Sequence, residues 1–334
     1  MLPDPVSDPF GERSECLATR RMRLLGAQFR FDSNSAELMR LVDCAYGGLP
    51  RHRLRLVEHE LRVSLRMTPD ARRHPRAEPP PMTMISGCGL LGGATEPANF
   101  VVISPSVHSA LVVVSPQMLR FPYHTRYELI EFAVFTLAAR AQRLVSLHAA
   151  CVGRQGRAVL LIGPSGSGKS TVALHCLLNG FDFLSEDSAF ISPGTMLATG
   201  VSNFVHIRAD SLRWLGRSGK AAAIRESPVI RRRSGARKFE VDLRREGFRL
   251  AKSPLKIVSA VFLSPEAAGN RPLLTPISKP ALLSNLADTQ GYGASQPQWR
   301  NFCRDVSRLE SFELRRGRHP QEAVQALGSL LAAR

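Results

Sequence analysis

The sequence predicts an α/β protein with a main domain over 120–334 and a small α/β unit over 21–118. Beyond residue 120, strand-like and helix-like segments alternate, which is typical of a sheet covered by helices. Within that region the apolar pattern RAVLLIG (157–163) runs into a glycine-rich loop and then into a helical pattern, KSTVALHCLLN (169–179). With 334 residues, 44% of them hydrophobic, the chain is long enough to bury a real core.

Composition favours a cytoplasmic protein. The six cysteines are scattered, with no CxxC pair and no metal-like spacing of His and Cys, which fits a reducing compartment. The N-terminal segment has no apolar stretch like that of a secretory signal, and no apolar run approaches a membrane span. We therefore expect no membrane partner.

The chain is strongly basic, with a formal net charge of +17. Its basic residues are spread along the chain, so we expect attraction to phosphate-bearing or acidic partners and not a nucleic-acid partner. Only six of the 45 basic residues are lysines, and the first of these is Lys169, at the end of the glycine-rich loop. A chain that otherwise favours arginine has lysine at this position.

The N-terminal sequence predicts a small α/β unit that follows a tail, residues 1–20. We expect this tail to be disordered. A stretch rich in Pro and Arg, TPDARRHPRAEPPPM (68–82), indicates a loop. The strand patterns of this unit are RMRLLGAQFRFDS (21–33), HELRVSLRM (59–67), FVVIS (100–104) and ALVVVS (110–115), and its helical pattern is SAELMRLVDCAYGG (35–48).

The main domain is predicted to begin with a helix over 125–144, where Thr125 and Glu128 form a capping-box pattern. After this helix, predicted strands and helices alternate as far as a C-terminal helix. A turn is predicted at Pro193–Gly194 and a basic loop over 225–243. The strand patterns are LVSLHAACV (144–152), RAVLLIG (157–163), FDFLSEDSAFIS (181–192) and LKIVSAVFLSP (255–265), and the final helical pattern is PQEAVQALGSLLAAR (320–334).

The glycine-rich loop satisfies the full P-loop pattern, Gly163-x4-Gly168-Lys169-Ser170, between a strand and a helix. Such a loop wraps phosphate oxygens with backbone N–H groups, while the lysine neutralises phosphate charge and the serine hydroxyl binds Mg²⁺. The alternative is an ordinary strand-to-helix turn. The predicted nucleotide-binding residues are Gly163, Pro164, Ser165, Gly166, Ser167, Gly168, Lys169, Ser170 and Thr171.

An acidic pair, Glu186–Asp187, follows on the next predicted strand. If that strand is parallel to the one before the loop, its carboxyl end opens on the same side, and Asp187 can bind Mg²⁺ or deprotonate a substrate hydroxyl. Glu186 points to the opposite face if the strand is regular. The alternative is that both are capping or solvated carboxylates. The sequence has no NKxD motif and no LSGGQ motif, which disfavours GTPases and transporter ATPases.

These segments together resemble the HPr kinase/phosphorylase family, and most closely the HPr kinase-related proteins that have an N-terminal extension. The resemblance is strongest over 144–193, where a His on the strand before the loop, the P-loop and the acidic pair follow in order. It implies a fold like that of phosphoenolpyruvate carboxykinase, with ATP and Mg²⁺ as cofactors. It also implies transfer of phosphate to a serine of a protein or peptide.

The resemblance also assigns roles. His148 becomes an active-site histidine and Asp187 the base or metal-side carboxylate, with Ser170 as the other metal ligand; Glu186 stands where an Asp is usual. Lys238, in RKFEVDL, and Arg208, in HIRADS, become candidate phosphate contacts. The alternatives are a packed core histidine for His148 and a solvated cation for Lys238, and His175 is expected to be structural.

The chain departs from that family in three respects. Thr171 follows Ser170 where a Glu is usual, the downstream signature of the phosphorylase activity is missing, and the N-terminal unit does not resemble the family's regulatory domain. We expect an ATP-dependent serine kinase whose substrate is a protein or peptide. A homo-oligomer is one assembly open to it. A small-molecule kinase on the same fold and a non-catalytic ATP-binding regulator remain open.

Overall fold

The computed structural model describes residues 16–54, 59–69, 78, 81–216, 219–245 and 247–332. The chain divides into two compact units. The N-terminal unit contains the described residues of 1–23, 27–47 and 57–141, and the C-terminal unit contains those of 24–26, 48–56 and 142–334. In the described part of the chain, no helix is both long and apolar enough to cross a membrane.

The N-terminal unit is a seven-stranded sheet with helices. Its strands are β1 (Ala18–Leu24), β2 (Ala27–Ser33), β3 (Leu61–Met67), β4 (Thr83–Gly87), β5 (Leu90–Glu96), β6 (Asn99–Ser104) and β7 (Ser109–Val114), and its helices are α1 (Ala36–Tyr46), α2 (Pro122–His124) and α3 (Glu131–Ala141), with a π-helical turn at Thr125–Ile130. The strand order is β1-β2-β3-β7-β6-β5-β4. Strands β2, β3 and β7 are parallel, and β4 to β7 form an antiparallel meander.

The sequence prediction for this unit needs several corrections. The strand predicted over 21–33 is two strands, separated by a turn at Leu25–Gly26 where both residues have positive φ. Strands β4 and β5 were not predicted, since their sequences are rich in glycine. The expected tail lies largely outside the described residues, as does most of the loop over 68–82; residues 18–20 of that tail belong to β1.

The helix predicted over 125–144 lies in the N-terminal unit, although the sequence prediction assigned it to the main domain. Its apolar face, which includes Leu129, Ala133 and Leu137, is fully buried. Helix α3 packs on β3, β6 and β7, and this covers one face of the seven-stranded sheet. The boundary near residue 120 therefore shifts to about Gln142.

The C-terminal unit contains a nine-stranded sheet, a three-stranded sheet and six helices among its described residues. Its strands are β8 (Val145–Leu147), β9 (Ala150–Arg154), β10 (Arg157–Ile162), β11 (Asp182–Ser185), β12 (Ala189–Ser192), β13 (Leu197–Gly200), β14 (Phe204–Ile207), β15 (Val229–Arg231), β16 (Arg237–Asp242), β17 (Leu255–Ala267), β18 (Leu274–Pro276) and β19 (Glu310–Arg316). Its helices are α4 (Lys169–Leu178), α5 (Gly219–Glu226), α6 (Lys279–Thr289), α7 (Gly291–Ala294), α8 (Trp299–Val306) and α9 (Pro320–Ala332).

The larger sheet has the order β11-β9-β10-β17-β13-β12-β8, with β19 also paired to β17 and β18 paired to β19. Strands β10, β17 and β19 are parallel to each other. Strand β9 is antiparallel to both β10 and β11, so β10 and β11 run in the same direction. Their carboxyl ends therefore lie at the same edge of the sheet. The smaller sheet has the order β14-β16-β15.

Strand β10 is central because both of its faces are buried. Val159 and Leu161 belong to an apolar cluster with α4 and α9, whereas Leu160 and Ile162 belong to a cluster with α6 and α8 on the other face. A strand that is buried on both faces needs a continuous apolar run, which explains the sequence RAVLLIG. This packing fixes the strand that leads into the glycine-rich loop.

Two predicted strands are divided in the structure. LVSLHAACV forms β8 and β9, which lie at separate positions in the sheet and are divided at His148–Ala149. FDFLSEDSAFIS forms β11 and β12, with Glu186 and Asp187 between them. The basic loop predicted over 225–243 contains the end of α5 and the hairpin of β15 and β16.

Candidate functional site

A cleft of about 1040 Å³ opens in the C-terminal unit at the carboxyl ends of β10, β11 and β19. The glycine-rich loop and the start of α4 line it, as do Asp187 and His148. Among the described residues that line the cleft, eight are lysines or arginines and two are aspartates. The basic residues are Lys169, Arg208, Arg213, Arg232, Lys238, Arg315, Arg316 and Arg318. The cleft is therefore suited to an anionic ligand.

The glycine-rich loop depends on glycine at both of its ends. Gly168 is the N-cap of α4 with φ of +99°, which is a left-handed conformation. At Gly163, with φ of +154°, an added Cβ would lie 2.8 Å from Ser167 Oγ and 3.0 Å from the Leu263 carbonyl oxygen. Larger side chains would distort the loop, so the sequence specifies this conformation.

Lys169 folds back across the loop. Its Nζ donates to the carbonyl oxygens of Gly163, at 2.6 Å, and Pro164, at 3.1 Å, and only 6% of the residue is exposed. Burial lowers the pKa of this lysine, although the charges of Asp187 and Glu186 act in the opposite direction. The ammonium group thus lies at the loop, where a phosphate would need a counter-charge.

Glu186 is the centre of a buried polar chain. Ser170 Oγ donates to Glu186 Oε1 at 2.6 Å, and the backbone N–H of His206 donates to Glu186 Oε2 at 2.8 Å. The imidazole of His206 lies between two carboxylates, with Nδ1 2.9 Å from Glu186 and Nε2 3.2 Å from Glu240. This chain joins β14 and β16 to the first turn of α4.

Within this polar chain, Glu186 and His206 stabilise each other's charged form. Burial alone would raise the pKa of Glu186, but the charge of His206 and the hydrogen bonds from His206 and Ser170 outweigh it and lower that pKa. Burial alone would lower the pKa of His206, but the Glu186 carboxylate outweighs burial and raises that pKa. Glu186 is therefore ionised at neutral pH beside the Ser170 hydroxyl.

Asp187 has a different set of partners. Its Oδ1 lies 3.1 Å from His148 Nδ1, and Arg232 Nη1 donates to its Oδ2 at 3.3 Å. The side chain of His148 is half exposed, whereas its backbone is held by Gln290, whose amide accepts from the His148 N–H at 2.8 Å and donates to the His148 carbonyl at 3.2 Å. The backbone of His148 is thus fixed while its imidazole remains accessible from the cleft.

Lys238 lies on β16 in the same cleft. Burial and the nearby positive charge of Arg232 lower the pKa of this lysine, while Glu186 and Asp187 act to raise it. Arg208 follows β14 and is exposed. At the other side of α4, the hydroxyls of Thr171 and Ser211 lie 2.9 Å apart. Four cations, Lys169, Lys238, Arg208 and Arg232, thus line the same cleft as Asp187.

The structure brings most of the residues singled out in the sequence to one cleft. The expectation that Glu186 points to the opposite face from Asp187 depended on a regular strand. Strand β11 ends at Ser185, so both acids lie beyond it. The Ser170 hydroxyl donates to Glu186. His175 is buried on α4, away from these acids, and burial lowers its pKa to about 4.

Sequence reasoning missed His206, Glu240 and Arg232. The segment FVHI (204–207) is a short apolar run that contains one histidine, and a polar residue within such a run could have indicated His206. Nothing local in the sequence relates Glu240 or Arg232 to the acidic pair. Among the described residues, no group of three or more His, Cys, Asp or Glu side chains is arranged to hold a metal ion.

Comparisons with known proteins add little to this geometry. No protein-family model matches the chain, and no curated protein matches it. One solved structure to which it is similar is the HPr(Ser) kinase/phosphatase from Coxiella burnetii, with 11% sequence identity and a TM-score of 0.27. That match covers 55% of this chain and 94% of the other chain. A similarity of this size carries no argument about activity.

Proposed function

We propose that the chain is an ATP-dependent phosphotransferase that places the γ-phosphate on a serine hydroxyl of a protein or peptide. The observation that carries this proposal is the placing of two separate carboxylates beside the glycine-rich loop. Glu186 contacts the Ser170 hydroxyl, and Asp187 contacts His148 at the open side of the cleft. One carboxylate is thus available for the metal side of the site and the other for an acceptor.

The triphosphate would bind at the glycine-rich loop. The backbone N–H groups of 165–168 and the first turn of α4 would face the phosphate oxygens, where the helix dipole favours negative charge. Lys169 would exchange its two carbonyl partners for the β- and γ-phosphates. Lys238 would add a second counter-charge from β16. The excess of basic residues in the cleft supports this assignment.

The residues also fit a Mg²⁺ ion that enters with the nucleotide. Mg²⁺ prefers hard oxygen ligands and is usually held by one or two protein groups together with substrate phosphates. The Ser170 hydroxyl lies 2.6 Å from the ionised Glu186 carboxylate, which supplies this type of donor set, and Asp187 is the next carboxylate along the chain. When bound, the ion would neutralise charge on the transferring phosphate.

Asp187 would act as the base for the acceptor. As the acceptor oxygen forms its bond to the γ-phosphorus, the bond from that phosphorus to the bridging oxygen of ADP breaks, and the hydroxyl proton passes to Asp187. His148, 3.1 Å from Asp187 Oδ1, would orient this carboxylate. Arg232 would keep the other carboxylate oxygen in place and bring positive charge close to the transferred group.

The direct test is transfer of γ-labelled phosphate from Mg·ATP to components of a lysate of the native host, separated into polypeptide and small-molecule fractions. We expect a labelled polypeptide with the wild type and none with Lys169→Ala or Asp187→Asn. Nucleotide binding should persist in Asp187→Asn, since this residue lies on the acceptor side. The matched control is Asp182→Asn, at the opposite end of β11, where Asp182 pairs with Arg249.

Other outcomes separate the alternatives. A labelled small molecule with no labelled polypeptide would identify a small-molecule kinase. ATP binding without transfer in either fraction would favour a regulator that uses the nucleotide only as a ligand. Transfer by Asp187→Asn at the wild-type rate would exclude Asp187 as the base.

A further inference from the structure

The hairpin of β15 and β16, residues Val229–Asp242, is the most basic segment of the C-terminal unit; we call it the basic hairpin. Five of the eight residues over 231–238 are basic, and the sequence has no acid between Glu226 and Glu240. Arg231, Arg233 and Arg237 are exposed. The candidate site uses Arg232, Lys238 and Glu240 from this hairpin, whereas the three exposed arginines lie outside the proposed phosphate and acceptor contacts.

The basic hairpin forms part of the wall of the cleft beside Asp187. Its turn residues Ser234, Gly235 and Ala236 line the cleft, and Arg232 donates to Asp187 at 3.3 Å. Among the strands that the structure describes, β15 is an edge strand of the three-stranded sheet. A polypeptide whose serine lies at Asp187 would therefore pass close to the exposed arginines.

The pairing within the hairpin also indicates an anionic partner. Arg231 lies directly opposite Arg237 in the antiparallel ladder. Like charges at directly opposed positions destabilise a strand pair. An anion bound across the two guanidinium groups would remove that repulsion. Arginine is also the residue best suited to carboxylates, which its planar guanidinium binds in a bidentate manner.

We propose that the basic hairpin binds an acidic segment of the substrate polypeptide next to the acceptor serine. This inference rests on the proposed phosphotransferase function and adds the class of substrate, namely a protein or peptide with glutamate or aspartate beside the serine. Arg231, Arg233 and Arg237 select the substrate, whereas Asp187 performs the chemistry. The selection is electrostatic, so it weakens as salt rises.

The test uses the full-length protein with Mg·ADP and three fluorescent peptides that share a central serine. The serine is flanked by glutamates in the first peptide, glutamines in the second and lysines in the third. By fluorescence anisotropy at low salt, the glutamate peptide should bind more tightly than the glutamine peptide by about fivefold or more. Raising the salt to the physiological level should reduce this difference.

The decisive variant is Arg237→Glu, because it replaces the Arg231–Arg237 repulsion with an ion pair. The thermal midpoint of the variant should therefore equal or exceed that of the wild type. Its affinity for the glutamate peptide should fall by about tenfold, and its affinity for the lysine peptide should rise. Lys252→Glu, which changes an exposed lysine outside the hairpin by the same charge, should leave both affinities unchanged.

The outcomes separate this inference from the proposed function, since binding requires no turnover. Equal binding of the glutamate and glutamine peptides would overturn the inference, and so would an equal effect of Lys252→Glu. Tighter binding of single-stranded RNA than of the glutamate peptide, lost in Arg237→Glu, would instead assign the hairpin to nucleic acid. Charge-selective peptide binding without phosphate transfer would support the inference and count against the kinase.

Discussion

At the scale of single residues, the site depends on one buried carboxylate. Glu186 is 4% exposed and accepts three hydrogen bonds, one from Ser170 and two from His206. A buried charge persists only if it is paired and hydrogen-bonded, and the pair formed with His206 meets both requirements. The same contacts keep an ionised oxygen beside the Ser170 hydroxyl, so the stability and the proposed chemistry depend on the same atoms.

We expect Glu186→Gln to destabilise the C-terminal unit by about 3 kcal/mol, because Ser170 and His206 then lose the ionised carboxylate to which both are hydrogen-bonded. Adding His206→Gln should cost less than His206→Gln costs in the wild type, since the contact with Glu186 is already lost and only the contact with Glu240 remains to be removed. Urea denaturation of the nucleotide-free and metal-free proteins measures the four members of this cycle. Strictly additive effects of the two substitutions would show that the pair is not coupled.

At the scale of elements, the parts of the fold that depend on local pattern could be predicted. Strand β10, helix α4 and the loop between them follow from a continuous apolar run, glycines and a helical period. The separation of β8 from β9 could not be predicted, since LVSLHAACV is apolar throughout. Strand β8 lies at one edge of the sheet. The side chains of Gln296 and Gln290 accept hydrogen bonds from the backbone N–H groups of Ser146 and His148, and no local pattern indicates where these glutamines lie.

These two glutamines provide a test of how the segment that carries His148 is held. In Gln290→Leu, the His148 backbone loses both of its partners, and its amide should exchange with solvent faster by about tenfold. The matched variant is Gln296→Leu, which removes the equivalent contacts to Ser146. It should accelerate exchange at Ser146 and leave His148 less affected. Hydrogen exchange followed by NMR measures both.

If exchange at His148 is unchanged in Gln290→Leu, the amide of Gln290 does not hold this backbone, and the position of the imidazole must depend on Asp187 alone. Nucleotide binding offers an independent check. It should survive Gln290→Leu, because the glycine-rich loop is anchored on β10 and α4 and not on β8.

At the scale of the whole molecule, the candidate site combines residues that are close in the sequence with residues that come from other parts of the C-terminal unit. The loop and the acids lie within 25 residues of each other, from Gly163 to Asp187, so local pattern sufficed for them. The groups that complete the site, Arg232 and Glu240, come from a separate sheet. The C-terminal unit also includes 24–26 and 48–56, far earlier in the sequence.

The early segments are held by buried hydrogen bonds. His52 is 4% exposed, with Nδ1 2.8 Å from Thr199 Oγ1 and Nε2 2.8 Å from the Ala251 carbonyl oxygen. Since that carbonyl can only accept, Nε2 carries the proton, and burial lowers the pKa of the imidazole. Gln142 likewise donates to the Leu25 carbonyl at 2.9 Å. Both contacts join residues that are remote in sequence.

A fragment over 120–334 should therefore be less stable than the C-terminal unit of the full chain, although it contains every proposed catalytic residue. Without His52 it loses the hydrogen bonds to Thr199 and Ala251, each worth about 0.5–1.5 kcal/mol, and it exposes the surface that residues 48–56 cover. In urea, the fragment should unfold at a lower midpoint, and His52→Leu in the full chain should reproduce part of the shift. Adding a peptide of residues 48–56 should raise the fragment's midpoint. An unchanged midpoint would show that the early segments contribute nothing to the stability of this unit.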